Sequence, residues 1–232
     1  MRRFLMACLT AAVVLLVSLS AFGQQQYVNR AGVFTGYSYL RTPSIGLGQQ
    51  GFNGSAGVNI TRWIELGGDF SVLKGNTNLG LSKTKLGPTL APILAASGIP
   101  ASALANVALP VDATTYTYLI GGQINVRKWD KITPFIRPIL GAMHEMVDVK
   151  LTNPALAPLF QAAGLRTHLG DTVPMYGVGG GIDFNATKHV AIRFSVDYAH
   201  TSMFKSILES QNTVRFSVGP TFKFGELPQY SK

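Results

Sequence analysis

The sequence predicts an all-β fold, an eight-stranded antiparallel up-and-down transmembrane β-barrel, and three observations predict it. First, Val214–Phe224 alternates without a break: Val214, Phe216, Val218, Pro220, Phe222 and Phe224 are apolar, while Arg215, Ser217, Gly219, Thr221 and Lys223 are small, polar or charged. Strand side chains point alternately to two faces, so one face wants an apolar neighbour and the other wants water. Second, seven earlier stretches show comparable alternation. Third, the connections between them alternate between long and short, and about ten residues per stretch is enough to cross a bilayer as a tilted strand.

The chain opens on a segment of another kind. Arg2 and Arg3 precede an apolar run from Phe4 to Val17, and Ala21-Phe22-Gly23 places small residues before Gln24. This is the pattern of a cleaved export signal over residues 1–23. A permanent membrane helix is the competing reading, but the run is short and gives way to Gln-rich sequence. Cys8 is the one cysteine. Leu5-Met6-Ala7-Cys8 has only a faint likeness to a lipoprotein cleavage box, because most of the apolar run follows it. The mature chain then has no disulfide and must hold by packing and pairing. One barrel domain is expected over 24–224, with a short tail over 225–232. The formal charge of +9 falls to +7 without Arg2 and Arg3, and the bases are dispersed. For an exported chain that argues against nucleic acid, and outer-membrane lipid with anionic head groups is the expected partner.

The strands follow in order. Gly32–Leu40 sets Val33, Thr35, Tyr37 and Tyr39 against Gly36 and Ser38. After a turn-rich stretch over 41–50, Phe52–Ile60 alternates, and Thr61–Trp63 links it to Ile64–Val72. Beyond a long interruption come Tyr116–Val126, a tight basic turn at Lys128–Lys131, and Pro134–His144. That last stretch is uneven: Phe135, Ile139 and Met143 share a face with Arg137 and Gly141, and Pro134 and Pro138 donate nothing to a ladder. Val173–Phe184, a turn at Asn185–Lys188 and Val190–Tyr198 complete the set before Val214–Phe224. Long connections are expected at about 41–50, 74–114, 149–171 and 200–211. A soluble lipocalin-type barrel would carry apolar residues inside and a wet exterior. Here the polar face holds Gly, Ser, Asn and charges while the other carries Tyr, Phe, Ile and Val, so the inside-out barrel is the better reading.

On these grounds the chain resembles the small bacterial outer-membrane β-barrel proteins, the family that includes the transmembrane domain of outer membrane protein A. The likeness rests on Gly36-Tyr37-Ser38-Tyr39-Leu40, Val196-Asp197-Tyr198 and Gln211–Phe224. Ser217, Gly219, Phe222 and Phe224 match the final-strand pattern that the family's barrel assembly machinery reads, which implies that machinery as a partner. Two departures matter: residues 225–232 follow the aromatic that often ends family members, and no peptidoglycan-binding domain follows the barrel.

An eight-stranded barrel is just wide enough for its own side chains to fill. The expected inner face carries Glu65, Asp69, Asp183 and Asp197 against Arg137, Arg193, Arg215 and Lys223. Buried charges persist when paired, and hairpin geometry favours Asp183 with Arg193 and Asp197 with Arg215. Such a network blocks a water channel; it is either structural packing or a switchable gate for small solutes. The glycines Gly177, Gly179 and Gly181 are expected to leave room for Arg137 or Arg193.

The long connections carry an internal echo. Pro88–Ile99 aligns without gaps on Pro154–Leu165, sharing Pro, Leu, Ala, Pro, Ala and Gly at equivalent places. Proline and glycine placement suggests short helices there, which either pack as a lid or offer a sticky surface through the outer loops 74–114 and 149–171. Near the seventh strand, His200 and Ser202 with Glu209 look like the catalytic set of outer-membrane lipid A deacylases, in which Ser attacks, His is the base and Glu orients it. Ordinary rim residues explain the same string. His144, His168 and His189 lack metal-ligand spacing, so neither metal nor cofactor is expected. The reading is a non-enzymatic outer-membrane barrel with a structural or surface-interaction role. A narrow gated pore is the alternative, and a lipid A deacylase the more distant one.

Overall fold

The structure, a computed structural model, describes residues 28–80, 84, 108–150, 166–205, 207–208 and 211–227. Eight strands follow one another: β1 (Asn29–Thr42), β2 (Leu47–Asn59), β3 (Ile64–Gly80), β4 (Ala108–Asn125), β5 (Ile132–Val149), β6 (His168–Asn185), β7 (Val190–Thr201) and β8 (Gln211–Glu226). Each pairs antiparallel with the next, and β8 returns to β1, so the sheet closes into a barrel without a free edge. Among the described residues there is no helix. The expected loop helices and the segment 1–23 lie outside the described residues.

Alternation builds the two surfaces. Val33, Tyr37, Phe52, Leu66, Leu140 and Phe194 face outward, and Ile120 is 72% exposed, while their strand neighbours Ser38, Asn53, Asp69 and Arg215 are buried in the lumen. A continuous apolar belt of this size has no place in water, so it is surface for lipid. Aromatic residues mark its edges. Tyr37, Tyr118, Tyr176 and Tyr198 lie toward the long-loop end, and Trp63, Phe184 and Phe224 toward the short-turn end.

Of the connections at 41–50, 74–114, 149–171 and 200–211, the first three prove shorter than their sequence suggests. The first is a four-residue turn over 43–46, closed by the Gly46 amide on the Pro43 carbonyl at 3.3 Å with Gly46 at φ 72°. That backbone region suits glycine. Those at 74–114 and 149–171 shrink because β3, β4, β5 and β6 run past the belt, at 17, 18, 18 and 18 residues against 12 for β7, while the last keeps nearly its expected bounds between Thr201 and Gln211. Beyond the tyrosines the polarity exchanges: Asp112, Thr114, His144 and Asp148 point out, and Val111, Ala113, Val147 and Val149 point in. Water replaces lipid outside the wall there, so the pattern of apolar-out strands stops while the ladder continues.

Two prolines, Pro138 and Pro220, fall where a ladder skips. Pairing of β4 with β5 passes from Ile120↔Leu140 to Ile124↔Ile136 across Pro138. At the closing seam it passes from Phe34↔Thr221 to Tyr37↔Val218 across Pro220. A residue without an amide hydrogen costs little at such a gap. The uneven β5 is resolved the same way: Ile136 and Leu140 meet lipid, while Phe135, Ile139 and Met143 are lumen residues.

Candidate functional site

The lumen is filled in tiers. Nearest the short turns, Arg193 donates from Nε to Asp183 Oδ1 at 2.7 Å and from Nη2 to Asp183 Oδ2 at 2.9 Å, across the register pair Asp183↔Arg193. Its guanidinium lies 4.6 Å from the Phe135 ring centre and 5.8 Å from that of Phe34. Two inward phenyl rings thus cover a buried cation.

The middle tier is a four-charge knot. Arg215, 1% exposed, donates from Nε and Nη2 to Asp197 Oδ2 at 3.0 and 2.8 Å, and from Nη1 to Asp69 Oδ1 at 2.8 Å. The same Nη1 reaches Ser71 at 3.3 Å and Thr117 at 3.2 Å. Arg137 completes it, with Nε on Asp197 Oδ1 at 3.1 Å and Nη2 on Asp197 Oδ2 at 2.8 Å and Asp69 Oδ2 at 3.4 Å. Two carboxylates and two guanidiniums leave no net charge in the knot. Paired and hydrogen-bonded in this way, the ions escape the penalty of isolated buried charge.

Two expected members stand apart from ion pairing. Glu65 accepts from the amides of Asn125 at 3.2 Å and Gln123 at 3.5 Å, and Lys223 Nζ donates to Asn185 Oδ1. The expected four-to-four charge network is therefore three acids on three arginines, because side-chain amides reach Glu65 and Lys223 at the short-turn end. The glycines leave room for an acid and a ring, and no arginine stands among their nearest neighbours. A Cβ on Gly179 would sit 1.9 Å from Asp197 Oδ1, and one on Gly181 would sit 2.8 Å from Phe135 Cζ.

Toward the long-loop end the lumen turns apolar. Leu40, Leu73, Leu119, Ile139, Met143, Met175, Ala199 and Met203 form one buried cluster. Sequence reasoning put Ile139 and Met143 on the face of Arg137 but otherwise assigned the inner face to polar groups, and it missed the rest of this tier. It also missed Arg127, whose Nη2 donates to Asn59 Oδ1 at 2.8 Å and whose Nε donates to the Arg62 carbonyl at 2.9 Å. Gln123, Asn125 and Arg127 share one parity, so one more step of the alternation would have found it. Above the apolar tier, Glu145 is buried in the wall of an apolar mouth lined by Leu79, Val111, Val147, Leu169, Phe204 and Leu208.

The rim residues are engaged elsewhere. His200 Nδ1 pairs with Asn212 Oδ1 at 2.9 Å and its ring leans on Tyr176 at 5.3 Å, with no hydrogen bond to Ser202 among the described residues. Glu209 lies outside the described residues. His144 pairs with Thr172 at 2.7 Å, and His168 with Asp148. In the last strand, Ser217 meets Ser38 at 2.5 Å inside the lumen, while Phe222 and Phe224 face lipid. A Cβ on Gly219 would fall 2.2 Å from the Thr35 carbonyl oxygen at the seam.

No family model matches the chain, and no curated protein matches it. Solved structures do. Neisserial surface protein A is similar with a TM-score of 0.53 at 12% identity, over 84% of this chain and 96% of that one. Ail, the attachment invasion locus protein of Yersinia pestis, gives 0.51 at 15% identity, over 84% and 99%. The outer membrane protein OprG from Pseudomonas aeruginosa gives 0.50 at 10% identity, over 88% and 99%. With a closed eight-stranded sheet and an outward apolar belt, the chain has the fold of a small outer-membrane β-barrel.

Proposed function

We propose that the protein is a non-enzymatic barrel of the bacterial outer membrane, closed to solutes, whose work is done at the cell surface. The observation that carries this is the doubly stopped lumen: the Arg215 knot, backed by the apolar cluster around Leu73, Ile139 and Met143. Short turns and both strand termini then face the periplasm, and the tall β3–β6 wall stands outside. The amino-terminal signal pattern supplies the route, and the outward aromatics of β8 with Gly219 suit recognition by the barrel assembly machinery, as in the outer membrane protein A family. A surface role suits the outer loops, whose sequences carry long apolar segments. Ail, of the same fold, has been crystallised in complex with the heparin analogue sucrose octasulfate, and that supports a sugar or another surface ligand as the kind of partner to seek.

The gated pore is favoured by one feature, a void of about 40 Å³ beside Ser55, Glu65, Asp69 and Arg137. That is room for a few waters just below the knot. Planar-bilayer recording of the refolded mature chain decides between the two. Silence at applied voltage is the expected result; steady, reproducible channels would place the protein among pores.

A further inference from the structure

Two of the short turns are built alike. In Ile60–Ile64 the amides of Ile60 and Thr61 donate to the Ile64 carbonyl, and Thr61 Oγ1 accepts from the amides of Trp63 and Ile64. In Ala186–Val190 the amides of Ala186 and Thr187 donate to the Val190 carbonyl, and Thr187 Oγ1 accepts from those of His189 and Val190. The threonine locks each turn. The residue after it is basic both times, Arg62 and Lys188, so the two cations occupy the same corner of the same turn. The third short turn, between β4 and β5, brings Lys128 and Lys131.

These bases outnumber the acids beside them, Asp130 and Glu226. No ion pair joins Lys128, Lys131 or Lys188 to an acid among the described residues. Their position is as telling as their charge. Lys128 shares outward parity with Ile124 and Val126, and Arg62 lies 5.7 Å from the Trp63 ring between the exposed Ile60 and Ile64. Arg62 and Lys128 therefore stand one or two residues past the edge of the lipid belt, the level of phospholipid head groups, and Lys131 and Lys188 lie in the neighbouring short turns at the same end. Lysine and arginine stems run along such an edge and carry their charge to the phosphate.

We infer that the short-turn end is a basic collar that gathers anionic phospholipid head groups in the leaflet it faces; that leaflet is the periplasmic one if the outer-membrane reading holds. The ligand chemistry is a phosphodiester anion at the apolar edge, held by Arg62, Lys128, Lys131 and Lys188. This end faces away from the outer loops, so it is a second interaction surface with a partner of its own.

The test is the composition of the lipid shell. The protein is inserted in phosphatidylcholine vesicles with trace spin-labelled phosphatidylglycerol or phosphatidylcholine, and the motionally restricted fraction of each is compared. We expect about a fivefold preference for phosphatidylglycerol at low salt, the size of one well-placed base at an anionic surface. It should fall toward none at about 1 M salt, where screening acts within ~3 Å. The variant Lys128→Gln/Lys131→Gln/Lys188→Gln should lose most of it while keeping the heat-modifiable gel mobility of a folded barrel. No preference in the wild type would overturn the inference, as would an unchanged preference in the triple variant. So would sedimentation with isolated peptidoglycan that the triple variant abolishes, without any lipid preference. Cell fractionation is read separately: a location other than the outer membrane sinks the functional reading and leaves the head-group measurement standing.

Discussion

Replacing Arg215 by Ala tests the keystone of the lumen. Its guanidinium makes five hydrogen bonds, three of them to carboxylates. Arg137 makes three, one at the long distance of 3.4 Å, and its side chain is 13% exposed against 1% for Arg215. Without Arg215 the knot holds two carboxylates on one guanidinium, a net charge of −1 in a buried site. Removing one partner of a buried pair costs about 3–5 kcal/mol, and residual pairing through Arg137 sets the expectation at the lower end, about 3 kcal/mol. Arg137→Ala should cost less, because it breaks fewer bonds, one of them long, and removes the more exposed of the two guanidiniums. The assay is reversible urea unfolding in lipid vesicles, read by the fluorescence of Trp63 and Trp129. A loss below about 1 kcal/mol for Arg215→Ala, or a larger loss for Arg137→Ala, would refute the keystone role. The structure adds a second expectation. Arg215→Ala leaves Leu40, Leu73, Ile139 and Met143 in place, so the destabilised barrel should still not conduct.

Gly219→Ala should impair closure of the β1–β8 seam, since its Cβ would lie 2.2 Å from the Thr35 carbonyl oxygen and 2.5 Å from Gly36 Cα, backbone that has little freedom to move. A cost of about 1–3 kcal/mol is expected from such overpacking, seen as slower refolding from urea into vesicles without any assembly machinery; normal refolding with failed assembly in cells would assign this glycine to recognition instead. Ser202→Ala should leave the acyl pattern of lipid A unchanged in mass spectra, because His200 is turned to Asn212. A pattern that depends on Ser202 would reinstate the enzyme.

The barrel was legible in the sequence wherever one rule held along a whole strand. From Val190 to Tyr198 and from Val214 to Phe224, apolar side chains meet lipid and polar ones fill the lumen, so parity alone gives the faces. It also puts Asp183 beside Arg193, since a short turn fixes the register of that hairpin, and brings Asp197 and Arg215 to the same inner face of adjacent strands. What stayed hidden depended on neighbours several strands away. Asp69 is 146 residues from Arg215 in the chain, and only barrel closure brings β3 and β8 to the same knot. Likewise Gly179 clears space for a carboxylate on β7, a fact about packing that its own strand does not carry.

The deeper reason for the missed segments is that membrane-barrel alternation depends on the solvent outside. Within the belt, lipid makes the outer face apolar and the lumen takes the polar groups. Past the tyrosines the outer face meets water, and the same backbone ladder carries Asp112 and His144 outward while Val111 and Val147 turn inward. The inversion does not coincide with the belt's edge on the inside. Leu119 and Ile139 already fill the lumen beside the lipid-facing Ile120 and Leu140, within the spanning part. An apolar tier at that depth answers no demand from lipid or water outside; its consequence is that a water file breached at the knot would meet a surface it does not wet. Charge pairing holds the lower half of the lumen and dispersion holds the upper half. Conduction would require both to fail together, for example in Arg215→Ala combined with Ile139→Ser.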